Sequence, residues 1–144
     1  MVKKAENIIV GISIGDLNGI GSEVILKTFE DTRMLELCTP VIFANAKIVS
    51  FLRKELNIDI AIHGIDKIEQ LVVGKINVLN VWREGVNLEL GKNDDVVGSY
   101  AIKSFVAASG LMLRLEMRPF LLCSPVSRNV IEPALPLIIP ENIV

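Results

Sequence analysis

Histidine is almost missing from this sequence: His63 is the only one in 144 residues. A site needing two or more histidines from this chain is therefore excluded. Cysteine is nearly as scarce. Cys38 and Cys123 lie far apart and neither belongs to a CxxC pair, which fits a reducing cytoplasm better than a disulfide framework. No run of about 18 uncharged apolar residues occurs, so no membrane-spanning helix is expected. Nor is there a basic start followed by an apolar block and a small-residue cleavage site, so no secretory signal is expected. Positive charge is not in surplus either, with 15 Lys and Arg against 17 Asp and Glu. A nucleic-acid binder working through bulk charge would need a basic excess or stripe. What the sequence does have is apolar material, 51% of its residues, enough to bury the core of one domain.

That material is patterned. Asn7 to Ile14 reads NIIVGISI, a continuous apolar run suited to a strand buried on both faces. The glycine-rich stretch GDLNGIG, Gly15 to Gly21, bounds it. Ser22 is placed to cap the following helix, with Glu23 in its first turn. Pro40 to Ala44 predicts a second strand and Ala46 to Leu56 a helix with Ile48, Val49, Leu52 and Leu56 on one side. Ile58 to Ile62 and Ile76 to Val81 predict further strands, with His63 and Trp82 at their ends. Gly85 to Asp95 reads as loop, Asp95 as lying near a cap, and Gly98 to Ala108 as a helix with Ile102, Phe105 and Val106 on one face. Strands alternating with helices predict an α/β fold with a mostly parallel sheet and flanking helices. In such sheets ligands bind beyond the carboxyl ends of the strands.

The stretch from Gly15 to Gly21 leaves the first strand at that edge. It matches neither the dinucleotide fingerprint GxGxxG nor the phosphate loop. Its glycines permit close backbone approach, and the helix start beyond offers N–H groups to an anion. A tight strand-to-helix turn that binds nothing is the plainer reading of the pattern. Asp16 has two open roles, bonding backbone amides of the turn or contacting a ligand. His63 reads as a strand-end residue, since no ligand cluster accompanies it. Cys38 and Cys123 read as small core residues.

The segment from Ile8 to Asp31 resembles the amino-terminal signature of the 4-hydroxythreonine-4-phosphate dehydrogenase family, whose usual form is close to IGDPNGIGPEV. Leu17 and Ser22 stand in place of the two prolines, while the glycines, Asp16, Asn18 and Glu23 are in place. The likeness continues through PVIFANAKIV, INVLNVW and GKNDDVVGSYAIKSFVAA, Gly91 to Ala108. The resemblance implies an α/β dehydrogenase related in fold to isocitrate and isopropylmalate dehydrogenases. It further implies NAD and a divalent metal as cofactors, a small phosphorylated substrate and a cytoplasmic homodimer. The implied reaction oxidises 4-phosphooxy-threonine, and the β-keto acid formed then decarboxylates, a step in pyridoxal phosphate biosynthesis. Sister enzymes act on 4-phosphothreonate or on diols. Gly15, Asp16, Asn18, Gly19 and Gly21 become the expected cofactor-binding residues.

The likeness fades after Ala108. Five of the six prolines fall in 109–144, a stretch without Lys or Asp. LLCSPVSRNVI, Leu121 to Ile131, is a loose counterpart of a family segment close to LVTAPINK, and Arg128 within it reads either as a group facing the substrate phosphate or as a solvated turn residue. The family's metal-binding histidines and its His-Thr substrate motif lie downstream of the matched part, so this chain is expected to bind neither cofactor fully. The sequence thus divides into a family-like α/β region, 1–108, and a divergent or truncated proline-rich tail, 109–144, with one strand near 120–124. A non-catalytic fragment or interaction protein that keeps part of the fold is the rival reading.

Overall fold

In the computed structural model, the described residues are 8–114 and 120–123. The chain forms β1 (Ile8–Ser13), α1 (Gly21–Thr28), a short α2 (Met34–Leu37), β2 (Cys38–Ala44) and α3 (Ala46–Glu55). It continues with β3 (Ile62–Ile65), a 3-10 turn (Ile68–Gln70), β4 (Ile76–Asn80), α4 (Asp95–Arg114) and β5 (Phe120–Cys123). The five strands lie in the order β3-β4-β2-β1-β5, and every neighbouring pair is parallel. The expected α/β class is observed.

Alternation along the strands explains the layers. Val10 and Ile12 of β1 and Ile42 and Ala44 of β2 face a core completed by α1 and α3. Ile9, Val41 and Phe43 face the other way, onto Ala107, Ala108 and Leu111 of α4. The β1-to-β2 crossover steps toward β3, whereas the β4-to-β5 crossover steps back past β2 and β1. Right-handed connections travelling in opposite directions must place their helices on opposite faces. Both sheet faces are thereby covered, and α1, α3 and α4 all begin at the carboxyl edge.

Pro40 sits inside β2, yet breaks no ladder. Its carbonyl accepts from Asn77 Nδ2 at 3.4 Å, so its backbone edge faces β4, whose pairing starts only at Val41 with Asn77. The missing N–H falls just before the ladder.

Several expectations are corrected. The third strand runs Ile62–Ile65 rather than Ile58 to Ile62, and His63 lies within it. Asn57 reverses the chain with φ 54°, and Ile58 N donates to Arg53 O at 2.9 Å, closing the end of α3. Arg53 Nη1 also takes the Ile60 carbonyl, so Ile58 to Ala61 follows α3 and joins the sheet late. Ser22 is no cap. Val24 N already donates to Ile20 O, the helix starts at Gly21, and Ser22 Oγ is buried with no partner among the described residues. At α4 the cap is Asp94, with Asp95 next to it as expected: Asp94 Oδ1 accepts from Val96 N at 2.8 Å and Val97 N at 3.2 Å. The helix, Asp95–Arg114, is longer than Gly98 to Ala108, and the face that carries Phe105 and Val106 is not the one it buries. Val97, Ala101, Ser104 and Ala108 are buried, while Phe105 and Val106 are exposed.

Candidate functional site at the carboxyl edge

The turn after β1 is built by its own short polar residues. Gly15 has φ 73°, the left-handed region that a side chain would strain. Asp16 to Gly19 closes a turn through Gly19 N to Asp16 O at 3.0 Å. The Asp16 carboxylate accepts the Asn18 amide at 3.0 Å, an Asx turn. Of its two open roles, Asp16 is thus seen bonding a backbone amide. Leu17, where the family signature has proline, is fully buried and pins the turn to the core. Asn18 is 3% exposed, and its side chain is engaged by the segment near Gly91 rather than facing outward. Gly19 is exposed, and a Cβ built there meets only Asp16, at 3.4–3.5 Å. Gly21 is buried at the start of α1.

Beyond the turn, the first amides of α1 carry the electrostatics. Gly21, Ser22 and Glu23 N–H groups have no intrahelical acceptor, and among the described residues no side chain caps them. Unpaired donors at the positive end of a helix dipole favour an anion. These donors fit one part of NAD, its pyrophosphate. The implied divalent metal fares differently. Among the described residues, no three His, Cys, Asp or Glu side chains gather to hold an ion. Arg128 lies outside the described residues.

The edge is framed by a second loop, 81–94. Trp82 is buried and packs against Tyr100, with ring centroids 4.8 Å apart. Lys103 Nζ sits 4.6 Å from the Tyr100 ring centre, and Glu84 receives the Tyr100 hydroxyl at 3.3 Å. Backbone amides, its own and that of Arg83, hold the Glu84 carboxyl below the usual carboxylate range, and Lys103 adds to this. Ser104, not singled out from the sequence, accepts from Ile14 N at 2.9 Å and donates to Phe43 O at 2.5 Å. It ties α4 to the strand ends just beneath the turn. A cleft of about 360 Å³ lined by Phe29, Leu35, Ile60, His63 and Lys75 lies at the opposite, amino edge of the sheet. His63 lines it without a ligand cluster. Cys38, half-buried in β2, has its thiol pushed up by burial.

A doubly wound parallel sheet with a glycine turn between its first strand and first helix defines the class: an α/β protein whose ligand edge is the carboxyl edge. The comparisons with known proteins narrow this. No protein-family model matches the chain. A 4-hydroxythreonine-4-phosphate dehydrogenase of Bacteroides thetaiotaomicron is 38% identical over 93 residues, covering 65% of this chain and 26% of the relative. A Fusobacterium nucleatum protein provisionally named D-threonate 4-phosphate dehydrogenase is 30% identical over 97 residues, 65% of this chain and 29% of its own length. Among solved structures, the 4-hydroxythreonine-4-phosphate dehydrogenase of Burkholderia phymatum superposes with a TM-score of 0.77 at 19% identity, covering 88% of this chain and 38% of that one. The Klebsiella pneumoniae enzyme of the same name gives 0.72 at 19% identity, covering 92% and 40%. The chain therefore resembles 4-hydroxythreonine-4-phosphate dehydrogenases in sequence and shares their fold. It spans about a quarter of the length of the curated relatives it matches.

Proposed function

We propose that this chain supplies the glycine-turn sheet of a cytoplasmic, homodimeric, NAD-dependent dehydrogenase of pyridoxal phosphate biosynthesis. Its substrate is 4-phosphooxy-threonine, whose secondary alcohol is oxidised before the β-keto acid decarboxylates. The observation carrying this reading is the 38% identity to the Bacteroides enzyme over 93 residues. Bound NAD supplies the hydride acceptor. The chain's own part is binding and orientation. The amides of Gly21, Ser22 and Glu23 offer donors to a cofactor phosphate, Gly19 leaves the outer face of the turn open, and Asp16 keeps the turn in shape. A second reading, oxidation of D-threonate 4-phosphate, is favoured by the name of the Fusobacterium relative.

The test is a titration of the ¹⁵N-labelled chain with NAD. Amide shifts concentrated at Gly19 to Glu23 are expected. Saturating NAD with no change at those amides, or with changes confined to the amino-edge cleft, overturns the cofactor role of the turn.

A further inference from the structure

The segment 85–93 crosses the carboxyl edge without regular secondary structure. Its start is held by the packing of Trp82 on Tyr100, and the Asp94 cap begins α4 at its end. Val86 and Leu88 add apolar contact with the core. Its hydrogen bonds to the rest of the fold have one destination. Among the described residues, each one that leaves the segment ends on Asn18. Asn18 Oδ1 accepts from Glu89 N at 2.9 Å. Asn18 Nδ2 donates to Lys92 O at 3.2 Å. Asn18 O accepts from Gly91 N at 2.7 Å, and Gly91 takes a φ of 82° there.

A carboxamide is suited to this task, because one end accepts while the other donates. Both ends are occupied, and the side chain is buried. We propose that Asn18 is a positioning residue. It fixes segment 85–93 against the glycine turn, so that two loops move as one unit at the mouth of the carboxyl edge, and its side chain makes no ligand contact. Asp16, by holding the Asn18 amide, sets the direction in which Asn18 reaches. The expected cofactor-binding role of Asn18 is thereby replaced by one of assembling the edge.

Hydrogen exchange on the full chain tests this without any ligand, and so independently of the NAD reading. In Asn18→Ala, the Glu89 amide loses its acceptor and should exchange about tenfold faster or more, with the β1, β2 and β4 amides unchanged. In Asn18→Asp, an oxygen remains for Glu89 while the donor to Lys92 O is lost, so its protection should fall less than in Asn18→Ala. An unchanged Glu89 amide in Asn18→Ala overturns the proposal. So does equal acceleration across the whole sheet, or a Glu89 amide in Asn18→Asp that exchanges as fast as in Asn18→Ala. Should Asn18→Ala fail to fold, the nearly isosteric Asn18→Asp decides alone: a protected Glu89 amide supports the proposal, and an unprotected one overturns it.

Discussion

Ser104 binds three elements with one hydroxyl, linking α4 to the backbone of Ile14 and Phe43 where β1 and β2 end. Ser104→Ala would leave a buried N–H and a buried carbonyl without partners. We expect a loss of about 1–3 kcal/mol in stability, read as a lower urea midpoint at unchanged slope. Asn77 works in the same way at the other edge. Fully buried, it bonds Val72 N and O, Lys75 O and Pro40 O. Neither residue was legible in the sequence. A lone serine or asparagine within an apolar run gives no sign of which backbone groups it will meet. Asp16 and the glycines were legible, because turn chemistry is local: the Asx bond from Asp16 to Asn18 spans only two residues.

At the scale of elements, α4 carries the clearest lesson. Periodicity marks Ile102, Phe105 and Val106 as an apolar face, and size alone suggests that it is buried. The sheet instead takes the small residues. Ala101, Ser104 and Ala108 are each at most 2% exposed, against 41% for Phe105 and 50% for Val106. Close approach is what allows the Ser104 hydroxyl to reach the Phe43 carbonyl. Ala108→Leu should therefore destabilise by about 1–3 kcal/mol through overpacking, while Val106→Ser should stay within about 0.5 kcal/mol. Thermal melts of the two variants, side by side, check the assignment of faces. The opposite ranking would show that the larger residues pack inward. Among the described residues no helix is long and apolar enough to cross a membrane.

At the scale of the whole molecule, the order of elements was legible and their edges less so. Strand–helix alternation predicted the parallel sheet, because buried strands and amphipathic helices differ in period. The start of β3 depended on Arg53, which holds the Ile60 carbonyl seven residues on, and the start of α4 on the Asp94 cap, a local signal inside a stretch that reads as loop. The chemistry is distributed differently from the fold. In the reaction proposed above, a metal would polarise the alcohol and further groups would hold the substrate. This sequence has a single histidine, and among its described residues no metal-holding cluster. The purified 144-residue chain, given NAD, 4-phosphooxy-threonine and a divalent cation, should form no NADH above the blank. Turnover under those conditions would relocate the catalytic groups to this sheet.

The pairing of β1 has a consequence for how the chain is made. Val10 meets Val41's neighbour Pro40 on one side but Phe120 on the other, partners 30 and 110 positions away (40 − 10 and 120 − 10). Closing the longer span costs about 1 kcal/mol more in chain entropy. It is also delayed by synthesis itself. β1 is made before both partners, gains β2 early, and its second edge is covered only once β5, about 110 residues further on, has been made. For that interval the nascent sheet presents an open strand rich in isoleucine and valine, the kind of edge onto which other chains can add.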